Sequence, residues 1–246
     1  MIFPVTFNLF ETVAPIHYFF ETMAFVIGIR IYYYQKKGII DPISDMNRLW
    51  IMLGAMIGAL VGSRLIAVLE SPETLNQITL MNLYQNKTVA GGFLGGLFGV
   101  EIAKKIIKVN IASGDIYVIP IIIAVFIGRI GCFLSGTAEP TFGIETTFFM
   151  GMNLGDGKFR HPVALYEMIY MVFLFVLFYK LKSKSLKNGE RFKLFMILYF
   201  SYRFTVEFIK PYQPLFLHLS IIQWSAIFIF MYYWKFIIRM FKLVRN

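Results

Sequence analysis

Residues 116–136 read IYVIPIIIAVFIGRIGCFLSG, a run whose one charged side chain is Arg129. Its length matches the roughly 20 apolar residues that cross about 30 Å of hydrocarbon. Comparable runs lie near residues 15–35, 49–69, 88–104, 162–180, 192–209 and 217–238. In lipid every backbone polar group must find a partner within the protein, which makes each run a helix. Hydrophobic residues are 58% of the chain and charged residues 15%, against about 45–50% and about 25% in a soluble domain. The expectation is an all-α integral membrane protein, a single polytopic domain over residues 1–246 with about seven transmembrane helices. The first basic residue, Arg30, follows the first apolar run, so the positive start of a cleaved signal peptide is missing and the first span is expected to stay.

The net charge of +10 is explained by where the basic residues fall. One alternate set of connections holds Arg30, Lys36, Lys37 and Arg48; Lys104, Lys105 and Lys108; Lys180, Lys182, Lys184, Lys187, Arg191 and Lys193; and Lys235, Arg239, Lys242 and Arg245. The other set holds only Lys87, Lys158, Arg160 and Lys210. Alternation of rich and poor connections is the positive-inside pattern, which predicts an outward N-terminus and a cytoplasmic C-terminus. Basicity of this kind is topology, and no nucleic-acid partner is expected.

Arg64, Arg129 and Arg203 fall inside apolar runs, where a charge is costly and usually functional. Under the predicted topology all three lie toward the outer leaflet, as do Tyr166, Glu167 and Glu207. Arg203 and Glu207 are one helical turn apart and share a face, leaving Glu167 as the counter-charge for Arg64 and Arg129. An excess of arginine in the outer leaflet suits a phosphate-bearing headgroup, because a guanidinium donates bidentately to phosphate. Structural ion pairing is the competing reading.

Gly54, Gly58 and Gly62 repeat every four residues, as do Gly91, Gly95 and Gly99, with Gly92 and Gly96 as a second row. These are faces on which helix backbones can approach closely. Residues 137–160 form a Gly-, Thr- and Phe-rich outward loop long enough to cover a site. The lone Cys132 excludes an intrachain disulfide, and no Cys/His spacing indicates a metal. No cofactor is expected. His17 and His218 read as interfacial residues.

The segment Gly128-Arg129-Ile130-Gly131-Cys132-Phe133-Leu134-Ser135-Gly136, the run His161-Pro162-Val163-Ala164-Leu165-Tyr166-Glu167, the set Tyr199, Arg203, Phe204, Glu207 and Phe208, and the shorter Gly62-Ser63-Arg64-Leu65 occur in that order. In motif and spacing the chain resembles the prolipoprotein diacylglyceryl transferases from about residue 15 to 210. The resemblance implies a bacterial cytoplasmic-membrane enzyme with its site toward the outer leaflet. Such an enzyme moves the diacylglyceryl group of phosphatidylglycerol to the lipobox cysteine of a prolipoprotein signal peptide, forming a thioether and releasing glycerol phosphate. It implies Arg129 and Arg203 as catalytic phosphate ligands, with Arg64, Tyr166, Glu167, Tyr199, Glu207, Cys132 and Gly136 at the headgroup.

Departures from the family pattern bear on the proton acceptor. Ala90 stands where many members have histidine, Phe19 where many have tyrosine, Thr137 where Glu is common, and Ala164 in place of the motif Gln. His161 is the best remaining candidate for general base, its ordinary pKa near 6.5 suiting the task; the competing reading makes it an N-terminal cap ahead of Pro162. Two other functions stay open: a related lipid transferase with a different acceptor, and a non-catalytic lipid-binding relative or transporter.

Overall fold

A computed structural model describes residues 3–9, 12–70, 86–181, 186–211 and 214–245. Lys182 and Lys184, two of the basic residues assigned to the inner side, lie outside the described residues. The helices are α1 (Ile16–Lys36), α2 (Asp45–Glu70), α3 (Val89–Ile106), α4 (Val118–Ser135), α5 (Val163–Lys180), α6 (Glu190–Val206), α7 (Ile221–Tyr232) and α8 (Trp234–Arg245). Two short antiparallel hairpins accompany them, β1 (Thr6–Leu9) with β2 (Thr12–Pro15) and β3 (Met152–Asn153) with β4 (Phe159–Arg160).

Among the described residues, three helical stretches are long and apolar enough to cross a membrane: Asp45–Glu70, Asp115–Ala138 and Val163–Lys180. The seventh expected run, 217–238, is not one straight span. It breaks at Tyr233 into α7 and α8, whose axes differ by 65°, and together the pair is the fourth candidate. The break falls just before Lys235, the first of the cations at 235, 239 and 242.

The chain forms two compact units. In the first (Met1–Ile40, Gly114–Phe192 and Phe208–Pro211) α4 packs against both α1 and α5. Gly28 sets α1 on α4 near Ala124 and Pro120. At Gly131 a Cβ would lie 2.9 Å from Phe20 Cβ and 3.2 Å from His17 Cα. Omitting that carbon is what lets the start of α1 rest on the end of α4. Asp115 ties the far end by accepting from the backbone N–H groups of Gly189 (2.6 Å) and Phe192 (2.9 Å); a carboxylate there satisfies the orphan donors that begin α6.

In the second unit (Asp41–Ser113, Lys193–Glu207 and Tyr212–Asn246) α2 and α3 meet through their glycine rows. A Cβ on Gly54 or Gly62 would come within 2.6 or 2.5 Å of the carbonyl oxygens of Gly99 or Gly91. The second row is roomier, since the nearest atoms to a Cβ on Gly92 or Gly96 stand 3.8 and 3.6 Å away. Arg48, grouped by sequence with the inner-side charges, is buried. It donates from Nε and Nη2 to Asp41 at 2.9 and 2.6 Å and from Nη1 to the Ser113 carbonyl at 3.0 Å. Thr88 caps α3, and a Ser220–Gln223 capping box starts α7.

Candidate active site

The first unit gathers its polar side chains where α1, α4 and α5 meet. Arg129 on α4 is buried and pairs through Nε with Oε2 of Glu167 on α5 at 3.0 Å. Glu167 is 1% exposed, so its charge depends on that partner. One helical turn along, Arg129 Nη1 lies 3.6 Å from Cys132 Sγ, which in turn stands 3.7 Å from Nδ1 of His17 on α1. His17 Nε2 then faces Glu21 Oε2 at 3.8 Å, an i,i+4 pair. A chain of contacts runs from Glu167 through Arg129, Cys132 and His17 to Glu21, alternating acidic and basic groups about a single thiol.

Residues 136–163 are built over this end of α4. Gly136 has φ of +55°, and a Cβ there would collide with the Leu154 carbonyl. The Thr137 N–H donates to that same carbonyl at 3.0 Å, fixing the loop to the helix end. Further on, Gly143 N–H donates to the His161 carbonyl (2.9 Å), His161 N–H to Ile144 (3.2 Å) and Ile144 N–H to Ile209 (2.9 Å). At the loop tip Arg160 Nε donates to Asp156 at 2.7 Å, and this holds the exposed Asp156 carboxyl below the usual range. A recess is lined by Cys132, Phe133 and Gly136 from one motif, Pro162, Val163 and Ala164 from the other, and Thr141, Phe142 and Leu154 between.

His161 does not cap α5. The N-cap is Pro162, no side chain caps the helix, and the His161 ring instead meets the Tyr166 hydroxyl at 3.1 Å. His17, read from sequence as interfacial, faces Cys132. The helical spacing of His17 and Glu21 was visible in the sequence, but it did not say that this face turns toward α4.

The other expected residues belong to the second unit. Arg203 and Glu207, both buried, pair at 3.4 Å, and Glu207 is wholly enclosed. Tyr199 is also enclosed, its ring 4.7 Å from that of Phe93 and stacked at 6.0 Å on Phe195. Arg64, half-buried, donates to the Ser63 hydroxyl at 2.8 Å. Ala90, at the position where many members have histidine, is buried.

The sequence model described as prolipoprotein diacylglyceryl transferase matches residues 4–239. The chain belongs to the prolipoprotein diacylglyceryl transferase family. It is a membrane protein of a transferase family, and its relatives are bacterial. A protein of Rickettsia rickettsii (strain Sheila Smith) named phosphatidylglycerol–prolipoprotein diacylglyceryl transferase is 27% identical over 225 residues, covering 85% of this chain and 86% of its own. Proteins of the same name from Rickettsia canadensis (strain McKiel) and Rickettsia bellii (strain OSU 85-389) are each 28% identical, over 228 and 230 residues, again 85% of this chain and 86% and 84% of theirs. In this chain Arg129 and Glu167 form an ion pair, while Cys132 and His17 add a thiol and an imidazole beside them.

Proposed function

We propose that the protein transfers the diacylglyceryl group of phosphatidylglycerol to the lipobox cysteine of prolipoproteins at the outer face of the bacterial cytoplasmic membrane. The thiolate attacks the glycerol carbon that bears the phosphate. A carbon–sulfur bond forms, the carbon–oxygen bond breaks with its electron pair leaving on glycerol phosphate, and the thiol proton passes to a base. The observation that carries this reading is the placement of Arg129. A guanidinium held by a buried carboxylate, beside a recess formed by both family motifs, is preorganised for a phosphate whose charge grows as the bond breaks.

Arg203 and Arg64 are assigned as further phosphate ligands from their motif positions, and Tyr166 and Glu167 as groups that orient the headgroup and Arg129. A thiol of ordinary pKa about 8.5 is mostly protonated at neutral pH, so the attack needs a proton acceptor or a nearby positive charge that lowers that pKa. His161 is the first assignment, since it opens the motif whose next residues line the recess. His17 is the second reading, favoured by its contact with the thiol that touches Arg129. The substrate prolipoprotein, anchored by its own signal peptide, brings its cysteine to the outer leaflet, and the alternation of basic connections in the sequence supports an outward N-terminus with the site on that side. Complementation of a cell depleted of its own diacylglyceryl transferase tests the reaction: growth with lipidated prolipoprotein supports it, and stable expression without lipidation refutes it.

A further inference from the structure

The loop over the candidate site contains a small antiparallel ladder with two unlike faces. β4 and its continuation to His161 run down the middle, with β3 on one side and residues 143–146 on the other. Arg160 stands opposite both Met152 and Glu145, while the N–H groups of Thr146 and His161 donate to the carbonyls of Phe159 and Ile144 at 2.9 and 3.2 Å. Successive side chains alternate across a strand. This register therefore puts Glu145, Met152 and Arg160 on one face, and Ile144, Thr146, Phe159 and His161 on the other. The first face is satisfied within the loop: Arg160 pairs with Asp156 at 2.7 Å and with Glu145 at 3.7 Å, and lies over the Phe142 ring at 5.1 Å.

The second face is apolar and open. Phe159 is 63% exposed, and Ile144 is exposed with it. Phe148 extends the surface, its ring 5.9 Å from that of His161, and Phe149, 85% exposed, tilts against Phe148 at 4.4 Å. The tip that carries this pair is held by Phe148 N–H on Thr146 Oγ1 at 3.1 Å and Gly151 N–H on the Phe148 carbonyl at 2.7 Å. A ladder with one charged and one apolar face ordinarily turns the apolar face to the core. Left open and rich in aromatic rings, it has the make-up of a contact surface for a partner.

What the face is made of and where it ends identify the occupant. Ile144, Phe148, Phe149 and Phe159 supply neither ammonium nor guanidinium, so a phospholipid phosphate finds no charged donor among them. The face ends at His161, so a chain lying along it is delivered to that imidazole. We propose that Ile144, Phe148, Phe149 and Phe159 dock the acceptor polypeptide through an uncharged, apolar stretch next to its reactive cysteine. That role rests on the transferase reading above and adds to it the surface that selects the acceptor.

The test uses the purified full-length protein with phosphatidylglycerol and a synthetic peptide in which apolar residues precede a single cysteine. Phe149→Ser with Phe159→Ser should raise KM for the peptide at least about fivefold, while kcat and KM for phosphatidylglycerol stay within about twofold. Phe149→Leu with Phe159→Leu should restore most of the loss. A second arm needs no transfer and decides the matter if the serine variant fails to fold. Phe149→Cys carrying a benzophenone should crosslink to the same peptide with serine in place of its cysteine, and excess unlabelled peptide, not phosphatidylglycerol, should compete; the parent, with buried Cys132, is the control. Crosslinking by a protein that transfers nothing would refute the transferase reading and leave the docking surface standing. Transfer with an unchanged peptide KM, no crosslink to the peptide, or crosslinks to phospholipid instead would overturn the docking surface and leave the reaction untouched.

Discussion

Cys132 Sγ stands 3.7 Å from His17 Nδ1, although 115 positions separate them in the chain. Glycine at 131 makes the approach possible, and the contact gives the protein two imidazoles to weigh as proton acceptor. With His161 as base, His161→Gln lowers the transfer rate by roughly 10²–10⁴ and higher pH partly restores it by supplying thiolate directly. His17→Gln then changes the rate much less. The opposite pattern, read from rate against pH for both variants, moves the role to His17.

Arg129 and Glu167 are coupled, so substitutions must be chosen for charge. Arg129→Ala takes the guanidinium away from a buried carboxylate, at a cost of about 3–5 kcal/mol. Arg129→Gln with Glu167→Gln removes both charges and should accumulate near normally, with transfer reduced at least about 10²-fold for want of the phosphate donor. Arg129→Lys should also be damaging, because a point charge does not reproduce the fork. Near-normal transfer by the stably expressed double variant would remove Arg129 from the mechanism.

The two glycine rows of the second unit give a contrast in stability. Gly62→Ala sets a Cβ against the Gly91 carbonyl, while Gly92→Ala meets only atoms at ordinary contact distance. The first should cost about 1–3 kcal/mol and the second less than about 1 kcal/mol, measured by unfolding in detergent.

Helix positions were legible because apolar length is a strong signal: the runs expected near 49–69 and 162–180 are the helices Asp45–Glu70 and Val163–Lys180. The glycine rows were legible for the same periodic reason. Pairing of Arg129 with Glu167 could be guessed, since Glu167 was the one counter-charge left in that leaflet. Other features turned on which helix neighbours which, information that a single chain's periodicity lacks. The contact between His17 and Cys132 is one such case, and the approach of Arg48 to the Ser113 carbonyl is another. The break at Tyr233 was hidden by averaging over 217–238, where apolar residues of α8 mask its cation row.

Topology can be read by labelling single cysteines in intact cells. Phe149→Cys, at an exposed site of the 137–160 loop, should react with an impermeant maleimide, and Asn188→Cys should react only after lysis. Buried Cys132 sets the background. Labelling of Asn188→Cys from outside would invert the orientation and move the site to the inner leaflet.

The most direct measurement follows both halves of phosphatidylglycerol. The purified protein is given lipid labelled separately in its diacylglyceryl and headgroup glycerol portions, together with a lipobox peptide. The diacylglyceryl label should move to the peptide cysteine in a bond that survives hydroxylamine, as a thioether does, with the headgroup label released as glycerol phosphate in equal amount. A hydroxylamine-labile product, label on another acceptor, or lipid binding without transfer would contradict the assignment.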